Sequence, residues 1–322
     1  MLSGFLLKVI AIICMLSSHI STVLGRQSLS VFLDWPIFIH IGTIAFPIFA
    51  YMISQGCIRT KNINKYLLRL GIFAIISEIP FDLAFNTHMG EDGIPVFDID
   101  FLINTNIFYT LFLGVACVVV YENLKTKECQ WVALFPVLIY PLAILVNFTP
   151  FAYYGFIIGT ITSILSVVAL FFITHFLPNI NVSSEITISR KIIPIVSVLP
   201  MLFMAAEFNT DYGIFGVALI FILYLSNPEN KVSQMAVLTA GIAYHYGIHI
   251  FSEQAHMVDG IVVLTGSYTL NKFALYNFIF ALISVLIIFL YNGKQGLRLK
   301  WAFYLFYPVH LMVLTTIWYV SL

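Results

Sequence analysis

The chain is short of charge. Asp, Glu, Lys and Arg supply 9% of its 322 residues, fifteen acidic and fifteen basic, against 61% apolar residues. With a mean hydropathy of +0.98, this composition excludes a soluble globular protein. No basic run or aromatic stacking platform points to nucleic acid, so none is expected as a partner. The four cysteines have neither metal nor redox spacing. Cys14, Cys57 and Cys117 fall in or at the ends of apolar stretches and Cys129 in a Lys-containing loop, which reads as small buried hydrophobes or free thiols. There is no HExxH motif, and no metal is expected. No small-x-small cleavage pattern precedes Arg26, so the first apolar stretch is expected to be a membrane helix rather than a secretory signal. No extramembrane segment exceeds about twenty residues, which leaves no room for a soluble domain and puts any chemistry within a helix bundle or at its mouths.

What is present is a series of apolar stretches divided by charged or Pro/Gly/Asn-containing breaks. They predict an all-α polytopic membrane protein, one domain over residues 1–322, with about eleven helices of roughly 15 to 25 residues. The expected spans are 5–25, 32–57, 66–86, 104–122, 130–147, 153–176, 192–206, 212–226, 232–251, 272–291 and 300–320. The seventh and eighth are short, consistent with tilted, re-entrant or broken segments around Glu207–Asp211. Five alternate loops and their edges hold eleven of the fifteen basic residues: Arg59, Lys61, Lys65, Lys125, Lys127, Arg190, Lys191, Lys231, Lys294, Arg298 and Lys300. The intervening loops hold Arg26 and Lys272 but also Asp34, Glu91, Asp92, Asp98, Asp100, Glu207, Asp211, Glu253 and Asp259. The positive-inside bias then predicts a cytoplasmic amino terminus and an external carboxyl terminus.

Within this apolar frame a few polar residues stand out. Lys8 and His19 are separated by ten residues in the first stretch, and the eleven helical steps between them leave them about 20° apart around a helix and roughly 16 Å apart along it. A histidine is a general base near neutral pH and a lysine a fixed cation for a phosphate, so the pair suits acyl transfer from a donor with a pantetheine-length arm. A snorkelling lysine and a histidine bonded to another helix satisfy the same spacing. Glu78 and Asp82, in Ser77-Glu78-Ile79-Pro80-Phe81-Asp82, share a face if the helix survives Pro80, and would orient a histidine, bind a substrate amine or form a wet helix end. Asn106 and Thr110 stack likewise, as oxyanion donors or as interhelical glue. Asp211 is expected either at the outer lip of a cleft or as a helix cap. His245 and His249 fit cavity lining better than a metal site. His310, two residues after Pro308 in the last helix, is a second catalytic or substrate-positioning candidate.

Taken in order, these residues resemble the TraX family of integral-membrane acetyltransferases, named for the pilin-acetylating protein of conjugative plasmids and related to transmembrane acyltransferases that modify surface glycans. The resemblance is carried by Lys8 and His19, Ala45-Phe46-Pro47-Ile48-Phe49, Leu67-Leu68-Arg69-Leu70, the Ser77–Asp82 run, Asn106 with Thr110, Asp211-Tyr212-Gly213 and Phe306-Tyr307-Pro308-Val309-His310-Leu311. The chain departs from the family pattern at Ser18, where Asp is usual, and at Gly42-Thr43, where an Arg is usual. The resemblance implies a bacterial cytoplasmic-membrane enzyme with acetyl-CoA as donor and an extracytoplasmic protein or glycan as acceptor, in contact with membrane lipid. Acyl-CoA phosphates would dock at Lys8 and at Arg59, Lys61 and Lys65. His19 would act as base or acyl carrier and Asn106 would steady the oxyanion. Glu78, Asp82 and Asp211, with Thr110, would line the acceptor side. Two other classes fit the composition: a proton-coupled secondary transporter, and a catalytically silent membrane assembly partner.

Overall fold

The computed structural model describes residues 1–25, 36–90, 94–139, 155–179, 188–258 and 261–321. Arg26, Asp34, Glu91, Asp92, Asp259 and the later part of the expected 130–147 helix lie outside them. The fold is all-α apart from two small hairpins, and six helices among the described residues are long and apolar enough to cross a membrane: Gly4–Leu24, Pro36–Arg59, Ile107–Leu124, Ile157–Phe176, Lys272–Phe289 and Trp301–Val320. The chain divides into two compact units, residues 1–52 with 226–322, and residues 53–225.

In the first unit, α1 (Gly4–Leu24) packs against α2 (Pro36–Gly42) and the last helix, α12 (Lys300–Val320), and its Gly4 meets Met52 of α3 (Ala45–Arg59). A single 32–57 helix was expected; it breaks at Thr43-Ile44, because Pro47 has no N–H for the Thr43 carbonyl. Contacts fix the direction of each helix relative to α1. Gly42 lies against Ser18 and Met52 against Gly4, so α2 and α3 run antiparallel to it. Phe5 meets Phe303 while His19 meets His310, so α12 runs parallel to it. In α11 (Lys272–Phe289), Asn277 bonds to His40 and the following Tyr291 packs on Tyr51, so α11 runs antiparallel to α1. Lys231, which opens α10 (Lys231–Ile242), donates to the Tyr291 carbonyl at 2.7 Å. The starts of α1, α10 and α12 therefore gather at one end. There the first N–H groups of α1, which no helical carbonyl can satisfy, donate to the 290–295 segment: Gly4 to the Lys294 carbonyl at 2.8 Å and Phe5 to the Gln295 carbonyl at 2.9 Å. Between α10 and α11 lie a π-turn, Ala243–Gly247, and an antiparallel hairpin, β3 (Phe251–Val258) with β4 (Ile261–Leu270), in place of the expected helix to residue 251.

In the second unit, α5 (Ile107–Leu124) is the core helix, enclosed by α4 (Ile63–Phe85), α6 (Gly155–Phe176), α7 (Ile188–Val196), α8 (Leu199–Glu207) and α9 (Gly213–Leu225). Gly114 lets α9 approach closely, since a Cβ there would lie 2.7 Å from Ile220 Cδ1. The expected seventh span is two short helices, α7 and α8, parted at Ser197-Val198, where Pro200 cannot donate to the Val196 carbonyl. A hairpin, β1 (Thr87–Met89) with β2 (Pro95–Phe97), follows α4. One end of the unit holds Glu78, Asp82, Asp100 and Asp211, joined through bonds of Asn106, Asp100 and Thr110; the other holds Lys125 and Lys127, whose ammonium donates to the Leu177 carbonyl at 2.9 Å.

The helices are inside-out relative to those of a soluble protein. On α4, Leu68, Ile72, Ile75, Ile76 and Ile79 are exposed while Ser77, Glu78 and Asp82 are fully buried; on α6, Ile161, Leu165, Val168 and Phe172 are exposed while Ser163 and Ser166 are buried. Only an apolar solvent favours that polarity. The first unit's helix directions make a firm prediction. In vesicles of uniform orientation, a cysteine replacing exposed Lys294 labels from the side of an amino-terminal tag, and a carboxyl-terminal tag from the opposite side. Labelling of all three from one side would refute the parallel α1–α12 pair.

Candidate functional site

The first unit holds the chemically distinctive group. His19, on α1, and His310, on α12, meet with Nδ1 of His19 2.8 Å from Nε2 of His310. Their planes differ by 9° and their centroids are 5.1 Å apart. That spacing is the N–N distance plus two ring radii, so the rings lie end to end in nearly one plane. Nδ1 of His310 is 2.8 Å from the Phe306 carbonyl oxygen one turn earlier. Tyr307 meets both rings edge-on, at 6.2 Å from His19 and 5.5 Å from His310, and Phe306 stacks on His310 at 4.8 Å. Lys8, at the basic end of α1, lies with its ammonium 5.2 Å from the Phe303 ring centroid, a cation–π contact. Ser18 and Gly42 touch: a Cβ on Gly42 would lie 2.3 Å from Ser18 Cβ. The two departures from the family pattern thus fall at one contact, where small residues bring α2 against α1 beside His19.

A third histidine was missed in the sequence. His40 is buried, donates from Nδ1 to Asn277 Oδ1 at 2.6 Å, and is ringed by Phe273, Tyr276 and Phe280. Its signal, a histidine in the apolar run Trp35–Ile44, has the same character as that of His19.

The remaining predicted residues belong to the second unit. α4 does survive Pro80, and Glu78 and Asp82 share its buried face. Asn106 serves both as cap and as carboxylate partner. Its Oδ1 accepts from Phe108 N–H at 2.9 Å; its amide donates to the Ala74 carbonyl at 2.8 Å and to Glu78 Oε2, and its backbone N–H also donates to Glu78 at 3.2 Å. Both amide hydrogens are engaged, so an oxyanion contact would require giving one up; the expected oxyanion role is not what this geometry offers. Glu78 Oε1 is buried and has no hydrogen-bond partner among the described residues. Asp82 accepts from Asn86 Nδ2 at 2.8 Å and from Asp100 N–H at 3.0 Å. Asn86 and Asp100 in turn line a cavity of about 390 Å³ with Asp98, Asn104 and His88, whose Nδ1 is 3.2 Å from Asp98 Oδ2. Thr110 ties α5 to the Thr210 hydroxyl at 3.1 Å and to the Asp211 carbonyl, so it holds the turn rather than facing a cleft; Asp211 itself is exposed. Arg59, Lys61 and Lys65 come together as exposed cations around the α3–α4 connection, with Arg59 donating to Gln55 at 3.2 Å. Lys8 belongs to the other unit. Among the described residues no three His, Cys, Asp or Glu side chains converge as a metal site.

The family described as TraX protein matches residues 3–166 and 164–318. The chain belongs to the TraX family. Among curated proteins it is similar to the probable fimbrial assembly protein FimC, serogroup H1, of Dichelobacter nodosus, 24% identical over 319 residues that cover 97% of this chain and 94% of the relative. No solved structure matches. The histidine pair joins the two ends of this TraX-family chain, residues 291 positions apart.

The Glu78–Asn106 contact predicts a measurable coupling. Asn106→Ala strips the buried carboxylate of its side-chain donor, leaving it the backbone N–H of residue 106, and strips α5 of its cap; it is expected to cost about 2–4 kcal/mol. In a Glu78→Gln background it costs distinctly less, because no charge is left orphaned. Equal losses in the two backgrounds, measured by thermal unfolding in detergent, would show that the two residues are not coupled.

Proposed function

We propose that this chain is a membrane-embedded acyltransferase that moves an acetyl group from cytosolic acetyl-CoA to an amine or hydroxyl of an extracytoplasmic acceptor. The observation that carries the proposal is the half-buried imidazole of His19, held against the buried His310 and lying about three turns along one continuous helix from the cation Lys8. A titratable side chain in hydrocarbon is costly, which makes it a functional-site candidate by default. Eleven helical steps along α1 place Lys8 about 16 Å from His19, a reach that matches a pantetheine arm. Lys8 sits at the end where Lys231, Lys294 and Arg298 gather, suited to the phosphates of a CoA. That basic end is assigned to the cytoplasm.

In the reaction, the acceptor N–H or O–H gives its proton to His19 as its N or O attacks the thioester carbonyl. The tetrahedral adduct collapses with loss of the CoA thiolate, which takes the proton back from His19. TraX membership and the fimbrial-assembly name of the similar protein favour a pilin or fimbrial subunit over a glycan as acceptor. The acidic end of the second unit, with Asp98 and Asp100 lining the cavity beside Asp82, suits the ammonium of such a protein better than an anionic polymer. The enclosed Glu78 and Asp82 also sustain a second proposal, a proton-coupled carrier.

Acetyl-CoA turnover by protein in nanodiscs separates these. The wild type is expected to release CoA, His19→Ala to lose at least about a hundredfold in kcat, and Lys8→Ala to raise KM for acetyl-CoA about tenfold with kcat little changed. Asp98→Asn combined with Asp100→Asn should raise the acceptor KM without altering that for acetyl-CoA. A folded wild type that neither binds nor turns over acetyl-CoA, yet takes up solute under a proton gradient, would establish the carrier.

A further inference from the structure

We infer that His19 and His310 act as one two-ring base, with His310 a positioning residue that fixes the tautomer of His19 and receives its proton. The inference deepens the acyl-transfer proposal and starts from a group that cannot donate. The Phe306 carbonyl only accepts, so His310 Nδ1, 2.8 Å away, carries hydrogen. A neutral imidazole has one N–H, so His310 Nε2 bears a lone pair. His19 Nδ1, 2.8 Å from that nitrogen, must then be the donor. The lone pair of His19 is thereby placed on Nε2. One backbone carbonyl of α12 thus dictates which nitrogen of a residue on α1 can serve as base.

The same alignment carries charge. When the acceptor's proton arrives at His19 Nε2, the proton on Nδ1 can cross to His310 Nε2, since the rings are nearly coplanar and the bond is already made. One proton enters the pair and one moves within it. The positive charge ends on His310, whose Nδ1–H points at the Phe306 carbonyl dipole. His19 is left neutral, now with hydrogen on Nε2 and a lone pair on Nδ1. Return of the His310 proton to His19 Nδ1, with loss of the Nε2 proton to the CoA thiolate, restores the starting state. Phe306 and Tyr307, packed on the rings, keep the two planes aligned. A buried imidazolium is costly without such a partner.

The test uses full-length protein in nanodiscs with ¹⁵N-labelled histidine. The resting pair is expected to show His19 Nδ1 protonated, His19 Nε2 unprotonated, and a through-hydrogen-bond coupling between His19 Nδ1 and His310 Nε2. This arm needs no turnover, so it separates failure of the pair from failure of acetyl-CoA as donor. His310→Gln keeps an acceptor for His19 Nδ1–H but cannot take up a proton. It should preserve the His19 tautomer and the KM for acetyl-CoA, lower kcat about ten- to a hundredfold, and turn a curved solvent-deuterium proton inventory into a linear one. His310→Phe, which keeps ring packing but removes the acceptor, should also lose the tautomer preference. Hydrogen on His19 Nε2 in the resting protein, absence of the coupling, or a His310→Gln enzyme with wild-type kcat and proton inventory would each overturn the inference.

Discussion

A polar group inside hydrocarbon has no water to fall back on, so it must find its partner on another helix, and each such bond ties two helices together at a defined height. Several such pairs stand out among the described residues. His19 with His310 joins the first helix to the last; His40 with Asn277 and Thr43 with the His40 and Asn277 carbonyls pin α2 to α11; Asn106 with Glu78 pins α5 to α4. Thr110 with Thr210 and Tyr224 with Glu122 add bonds from α5 to the segments around α9, and much of the remaining contact is through small residues and apolar side chains, which favour contact without fixing register. Removing one polar pair therefore costs more than its own bond, because little else of comparable specificity positions the same two helices.

That constraint also bears on the proposed acyl transfer. A base reactive enough for acyl transfer has to be shielded from bulk water yet kept from being an orphaned polar group. A second imidazole meets both needs, as an acceptor when the base is neutral and as a reservoir for charge when it is not. Lys8 solves a different problem on the same helix. Near the end of α1 its stem lies along apolar surface, its ammonium over Phe303, within reach of a soluble anion. In the second unit the acids gather at one end and Lys125 and Lys127 at the other, so each side of the membrane meets a surface of one dominant sign.

Much of this was legible in the sequence. The Lys8–His19 spacing, the shared face of Glu78 and Asp82 and the existence of the helices follow from one period, 3.6 residues, which local sequence sets. The breaks at Thr43-Ile44 and Ser197-Val198 were legible too, had Pro47 and Pro200 been weighed as missing donors four residues on. Both hairpins carry an Asp-Gly pair between their strands, at 92–93 and 259–260, a turn signal masked by the apolar residues around it. The pairing of His19 with His310 was not legible, because nothing local relates positions 291 residues apart. Asn106 and Thr110 drew attention for the right reason, buried polarity, but side-chain identity alone does not tell a donor held for substrate from one spent on a neighbouring carboxylate or carbonyl.

In the proposed reaction an acyl group passes from a donor on the basic side to an acceptor on the other. Sidedness of transfer tests it most directly. Protein is reconstituted into sealed vesicles, labelled acetyl-CoA is supplied outside, and an amine-bearing pilin peptide is trapped inside. Label is expected on the enclosed peptide only from molecules whose basic end faces out, and none when His19 is replaced by Ala. Label confined to peptide sharing the donor's compartment, or transfer undiminished in His19→Ala, would contradict it.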